Sequence, residues 1–224
     1  MFTYEKIADG FVYYKNIYKD PKSIINNIEK LQNLLKTKSE SENLLEDRFI
    51  WEDWSYENHD GQTLIFCKKS WLPNPNNIDK LDSFYNEKLE ISNVLFSGLE
   101  DAYNHYSTVL YPYAGRNIKG DVDQISILKY EKTGYLPEHI DQGISSRVLS
   151  VVAYLNDDYE GGEITFTGIG NGGITIKPEA GSAVFFPSNF VGSHTISEVK
   201  SGTRYAVPNW YHNRLEKVES DGSE

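Results

Sequence analysis

Beyond residue 120 the chain is cut into short runs of β-formers, and no other feature restricts its fold so strongly. Apolar and β-branched residues cluster at 124–130, 147–155, 163–167, 173–177, 182–186, 194–199 and 204–211. Glycine, asparagine, aspartate and proline separate these runs. Segments this short do not sustain helices, and turn signals between them send successive strands back antiparallel. The expectation is a sandwich or barrel of antiparallel sheets. Before residue 120 the texture differs. Residues 21–38 place Ile24, Ile25, Ile28, Leu31, Leu34 and Leu35 on one helical stripe, and Asp20-Pro21 supplies an N-cap with proline in the first turn. A second helical period runs over 78–106 through Leu81, Phe84, Leu89, Leu95, Leu99, Ala102 and Tyr106. Short β-like runs stand at 48–54 and 63–67, and Phe11-Val-Tyr-Tyr and Ile17-Tyr add strand material to the first twenty residues. The reading is α+β, one domain over 1–224. A helix-rich flank (1–120) packs on one sheet of a β core (122–213), and a polar, frayed tail follows at 216–224.

Charge and composition then exclude functions. Asp and Glu number 33 against 22 Lys and Arg, for a net charge of −11. Nucleic-acid binding needs a basic face to neutralise phosphates, and no basic run exists, so no nucleic-acid partner is expected. The single cysteine, Cys67, rules out an intramolecular disulfide and speaks against a cysteine-based zinc site. No apolar stretch approaches about 18 residues, and the N-terminus lacks an apolar signal core; no membrane association and a cytoplasmic location are the expectation.

Chemistry enters with Pro-Glu-His139-Ile-Asp141. In an extended segment residues i and i+2 project to one face, so this imidazole and carboxylate point together. His194 opens a later β-run, Ser-His-Thr-Ile-Ser. Two imidazoles and one carboxylate on one side of a metal leave its other side open, the facial triad of non-haem Fe(II) oxygenases. A His-x-Asp triplet arises by chance about 0.3 times in a chain of this composition, so it is weak alone. Arginine scarcity strengthens it. Only Arg48, Arg116, Arg147, Arg204 and Arg214 are present, and Arg204 follows His194 by ten residues, past a reversal at Lys200-Ser-Gly. An arginine there can take a carboxylate in a bidentate pair.

The stretch from Tyr130 to Asp141 resembles the metal-binding segment of 2-oxoglutarate- and Fe(II)-dependent dioxygenases of the prolyl 4-hydroxylase type. Further matches follow in order: Arg147 opening Val-Leu-Ser-Val-Val-Ala-Tyr-Leu-Asn, Gly161-Gly-Glu with Phe166, Gly181-Ser-Ala-Val-Phe-Phe-Pro, and His194 through Arg204-Tyr to Trp210. The resemblance spans about 122–213 and implies a double-stranded β-helix, or jelly roll, around the site. It implies His139, Asp141 and His194 as Fe(II) ligands and Arg204 as the partner of the distal carboxylate of 2-oxoglutarate. Tyr130, Ile196 and Trp210 match positions around that co-substrate, and Arg147 one near the substrate. Tyr135 sits one residue further from His139 than the family's tyrosine. The implied reaction uses O2, is supported by ascorbate, converts 2-oxoglutarate to succinate and CO2, and hydroxylates an unactivated C–H. Prolyl residues of a peptide or protein lead as substrate; free proline, lysine or another small molecule is the alternative.

Other candidates read more simply. His59, His105 and His212 lack partners at ligand spacing and are taken as surface or packing histidines. Trp51, Trp54 and Tyr56 are core and turn residues or, alternatively, part of a substrate lid. Gly168–Gly173 lies between β-runs and opens no helix, which excludes a nucleotide cradle. A rival of another class is a cupin-like barrel that binds a metal without turnover; Arg204 is the feature such a barrel has no need of. The nucleic-acid demethylase branch of the oxygenases is disfavoured by the negative charge.

Overall fold

The structure, a computed structural model, describes residues 2–42, 49–57, 63–79, 84–119, 124–143 and 146–214. Arg48, His59, Leu81 and the 216–224 tail lie outside the described residues.

Among these residues nine strands form one antiparallel sheet. From one edge its order is Thr3–Ala8, Phe11–Lys15, Ala183–Pro187, Arg147–Tyr154, Arg204–Asn213, Gln124–Tyr130, Thr63–Pro73 and Glu52–Glu57, with Ile118–Lys119 also pairing to Arg204–Asn213. A second sheet of four strands runs Ile174–Ile176, Ile164–Phe166, His194–Ile196, Leu136–His139. This large antiparallel sheet with a smaller one facing it matches the expected jelly-roll class. Chain outside the β-rich half completes the large sheet: two strands at each edge come from residues before 74. The 63–67 run extends to Pro73, because Lys68 to Pro73 pair with Lys129 to Gln124. The 194–199 run divides in two, His194–Ile196 and Val199–Ser201.

Period-two alternation divides the large sheet between two cores. Val151 and Ala153 join one buried cluster, Val152 and Tyr154 the other; Phe185 joins the first, Val184 and Phe186 the second. Strands covered on both faces read as unbroken apolar runs, which is what Val-Val-Ala-Tyr is. The outer cluster includes residues of two helices, α1 (Pro21–Glu42) and α2 (Tyr85–His105). Helix α1 starts where expected, with Ser23 N–H donating to Asp20 Oδ1 at 3.0 Å. Ile24, Ile28, Leu31 and Leu35 are buried on it, each worth about 1.5–3 kcal/mol, but Leu34 is 37% exposed and falls off the stripe. Helix α2 buries Ile91, Leu95, Leu99 and Ala102 at the same spacing. It begins later than its periodicity suggests. Pro75–Asn77 forms a 3-10 turn, and Phe84 adopts a left-handed backbone (φ 58°) that no continuous helix passes through. No helix among the described residues is long and apolar enough to cross a membrane.

Candidate active site

Two strands of the smaller sheet bring the histidines together. Leu136–His139 and His194–Ile196 pair so that His139 faces His194 in register, their ring centroids 4.2 Å apart. Asp141 lies two residues past His139, beyond the strand end, with Oδ1 at 3.7 Å from His139 Nε2. One ligand atom from each of the three residues lies within 4.8 Å of the others. Both imidazoles donate Nδ1–H to a carbonyl two residues back, His139 to Pro137 at 2.8 Å and His194 to Gly192 at 2.9 Å. That fixes the tautomer and leaves each Nε2 lone pair available to a metal. Burial, only partly opposed by the Asp141 carboxylate, pushes His194 down to about 4, so its ring is neutral and ready to ligate at neutral pH. The Asp141 backbone is anchored as well: its carbonyl accepts from Arg147 at 3.2 Å, and the Arg147 guanidinium stacks on the Trp210 ring at 3.9 Å.

These groups open onto a cavity of about 290 Å³ inside the jelly roll. Strand register stacks its large-sheet wall in layers. Arg204 lies opposite Tyr130, Leu128 opposite both Ala206 and Lys69, and Ser126 opposite Trp71. The deepest layer is the most unusual. Arg204 has no exposed surface, and its Nε and both terminal nitrogens lack a hydrogen-bond partner among the described residues. Its guanidinium sits 4.7 Å from the Tyr130 ring centroid and 5.2 Å from that of Tyr154, and the hydroxyls of Tyr154 and Tyr159 are unpaired too. Leaving a buried charge without a counter-charge costs about 3–5 kcal/mol, and a bound anion relieves that cost. A carboxylate is the chemistry that suits a cluster of such donors. Room for the arginine comes from Gly162. A Cβ there would meet Arg204 Cδ at 2.9 Å, and its φ of +67° is left-handed, which accounts for the Gly161-Gly162 pair.

Of the residues singled out in the sequence, His139, Asp141, His194, Arg204, Tyr130, Ile196, Trp210 and Arg147 all line this one cavity. Tyr135 is not among its lining residues; its ring packs edge-on against Phe66 at 5.5 Å. His105 and His212 are held structurally, by Tyr14 Oη at 3.0 Å and Ser146 Oγ at 2.9 Å. Trp54 lines the cavity, whereas Tyr56 is 51% exposed. Cys67 is buried and its thiol pushed up to about 12, chiefly by desolvation, so it is neither nucleophile nor ligand. Sequence reasoning missed Tyr154, Tyr159, Lys69 and Trp71. Lys69 and Trp71 fall past residue 67, where the β-run seemed to stop, and only their pairing with Leu128 and Ser126 turns them inward.

An antiparallel jelly roll that brings two imidazoles and a carboxylate together around an open position, with a buried arginine in the same cavity, is the arrangement of the iron(II)- and 2-oxoglutarate-dependent dioxygenases, oxidoreductases that use O2. The family model described as 2OG-Fe(II) oxygenase superfamily matches residues 125–212. Residues 125–212 are thus similar to that superfamily, whose cofactor set is Fe(II), 2-oxoglutarate and O2. Human prolyl 3-hydroxylase 2 is 35% identical over 82 residues, a match covering 34% of this chain and only 12% of that protein. A prolyl hydroxylase of Trichoplax adhaerens, solved with a peptide fragment of the hypoxia inducible factor oxygen degradation domain, has the same fold. It superposes with a TM-score of 0.64 at 17% identity, over 92% of this chain and 84% of that one. A Pseudomonas putida prolyl-4-hydroxylase superposes at 0.55 and 15% identity, over 92% and 94%.

Proposed function

We propose that the chain hydroxylates an unactivated C–H of a prolyl residue in a peptide or protein, coupled to oxidative decarboxylation of 2-oxoglutarate to succinate and CO2. The observation that carries this reading is Arg204, a fully buried cation that no carboxylate neutralises among the described residues, in the same cavity as the His139, Asp141 and His194 donors. A barrel that only stored a metal would gain nothing from that arginine. Bound Fe(II) supplies the activation of O2 that the chain's own groups cannot. His139, Asp141 and His194 hold the metal on one face and leave the rest of its coordination to co-substrate and O2. Arg204 takes the distal carboxylate, with the Tyr154 and Tyr159 hydroxyls beside it. Tyr130, Ile196 and Trp210 wall the co-substrate. Apolar Leu128, Leu136 and Val152 line the space around the metal and keep bulk water from it. Arg147 fixes the ligand loop through the Asp141 carbonyl and stands at the substrate side. In this reading 122–213 is the catalytic core and 1–120 its supporting flank.

Peptide relatives give the prolyl assignment its support, since the similar proteins are prolyl hydroxylases and one was solved with a peptide. The test is mass spectrometry of proline-containing peptide libraries incubated with the protein, Fe(II), ascorbate and 2-oxoglutarate. A gain of about 16 Da (one oxygen atom) on proline, with stoichiometric succinate, is expected. Succinate formation with the gain on free amino acids only would redirect the substrate assignment, and no succinate under any condition would remove the reading.

A further inference from the structure

Lys69 is a cation the site as described does not use. It lies on the inward face of its strand, between buried Cys67 and Trp71, and lines the cavity. Its register partner Leu128 also faces Ala206, so its layer is two residues from the Arg204 layer, roughly 7 Å along the sheet. Its immediate neighbours on that wall are apolar. Among the described residues its ammonium makes no hydrogen bond or ion pair; its recorded ring contact is Trp71, at 6.0 Å to the centroid. Glu52 stands opposite in register but forms no ion pair with it within 4.0 Å.

Charge accounting shows what the lysine is free to meet. A divalent metal, ionised Asp141, dianionic co-substrate and Arg204 sum to neutrality. Arg147 is engaged by the Asp141 carbonyl and the Trp210 face. Lys69 therefore adds a positive charge to the cavity, where Asp141 is the sole lining carboxylate among the described residues. Trp54, Trp71 and Trp210, three of the four tryptophans, surround the same space. Flat aromatic walls suit an aliphatic ring, and a half-buried ammonium beside them suits an anion.

We infer that Lys69, backed by Trp71, is a specificity-determining residue that recognises a carboxylate on the substrate close to the carbon hydroxylated. The substrate class is thus an acidic one: a proline followed by or bearing a free carboxylate, or flanked by Asp or Glu. This rests on the dioxygenase reading above. A carboxylate could also come from 2-oxoglutarate itself, and the experiment separates the two sources.

The protein is loaded with Mn(II) and 2-oxoglutarate, which keeps the site filled without turnover, and binding is followed by calorimetry. Two probe pairs are titrated: N-acetylproline against its amide, and alanine-rich nonapeptides with central proline followed by Glu or by Gln. Wild-type protein should bind the carboxylate member of at least one pair about tenfold more tightly. Lys69→Gln should reduce that ratio to about one and Lys69→Arg should restore most of it. The affinity for 2-oxoglutarate should change by less than about twofold in either variant. No preference in the wild type, or a preference that survives Lys69→Gln, overturns the inference. So does a Lys69→Gln protein that loses 2-oxoglutarate affinity instead, which assigns the lysine to the co-substrate. Failure of the parent reading has its own signature: Mn(II)-loaded wild type that binds no 2-oxoglutarate, measured first, defeats both.

Discussion

Two buried polar side chains on opposite faces of the nine-stranded sheet, Gln32 and Arg204, are treated in opposite ways. On the outer face Gln32 is 5% exposed, and each end of its amide is satisfied. The NH2 donates to the Phe49 carbonyl and, at 3.3 Å, to Ser70 Oγ, while Oε1 accepts from Trp51 N–H at 2.9 Å. On the inner face Arg204 is wholly buried beside the Tyr154 and Tyr159 phenols, and no carboxylate among the described residues neutralises it. Gln32 serves only the fold and the fold satisfies it, because an orphaned donor costs about 1–3 kcal/mol even when neutral. A buried donor cluster left open marks where a ligand completes the structure.

Breaking the metal corner of the inner face has the largest expected effect. Asp141→Ala should abolish Mn(II) binding measured by calorimetry and remove succinate formation, leaving the far-ultraviolet circular dichroism unchanged; succinate that persisted would dismiss the triad. Arg204→Met comes next and sharpens the contrast between faces. It should weaken 2-oxoglutarate binding by about a hundredfold or more, as expected for losing a buried charge-assisted pair. The ligand-free protein should meanwhile melt no lower than wild type, since the variant removes an uncompensated charge. Gln32→Ala should do the reverse. We expect about 1–3 kcal/mol lost in urea denaturation, because Phe49, Trp51 and Ser70 all lose a partner, with 2-oxoglutarate affinity intact.

A last prediction concerns pH. His194 has a folded-state value near 4 against 6.5 when unfolded, so protonation favours the unfolded chain. Its contribution to metal-free stability is complete above about pH 6.5 and is lost as pH falls through about 4. Urea midpoints of the metal-free protein should fall over that window, and His194→Asn should flatten part of the fall. An unaltered profile in the variant would assign the acid sensitivity elsewhere.

Much of this contrast was legible before any coordinates. Turn-bounded runs after residue 120 announce antiparallel sheets, and His139 with Asp141, like His194 with Arg204, is recognisable because the spacing within each pair is short. Helix ends were less legible. Leu34 and the start of α2 went astray because periodicity cannot register a left-handed residue such as Phe84 or the exact face a helix presents. The neighbour of the Tyr135 ring, Phe66, was not legible in the sequence, because it lies on a distant strand.

By itself the sequence determined the strand period, the metal-ligand chemistry and the scarcity that makes Arg204 conspicuous, all properties of residue type and short spacing. Only the tertiary structure decided which side chains share the cavity. Lys69 and Trp71 enter it from a strand more than a hundred residues before Arg204, and Arg147 reaches the Asp141 carbonyl across a turn. The reason is geometric. Each strand sends alternate residues inward, but which alternate set faces the core is set by hydrogen-bond register with distant strands, and a slip of one residue would turn Lys69 to the opposite face.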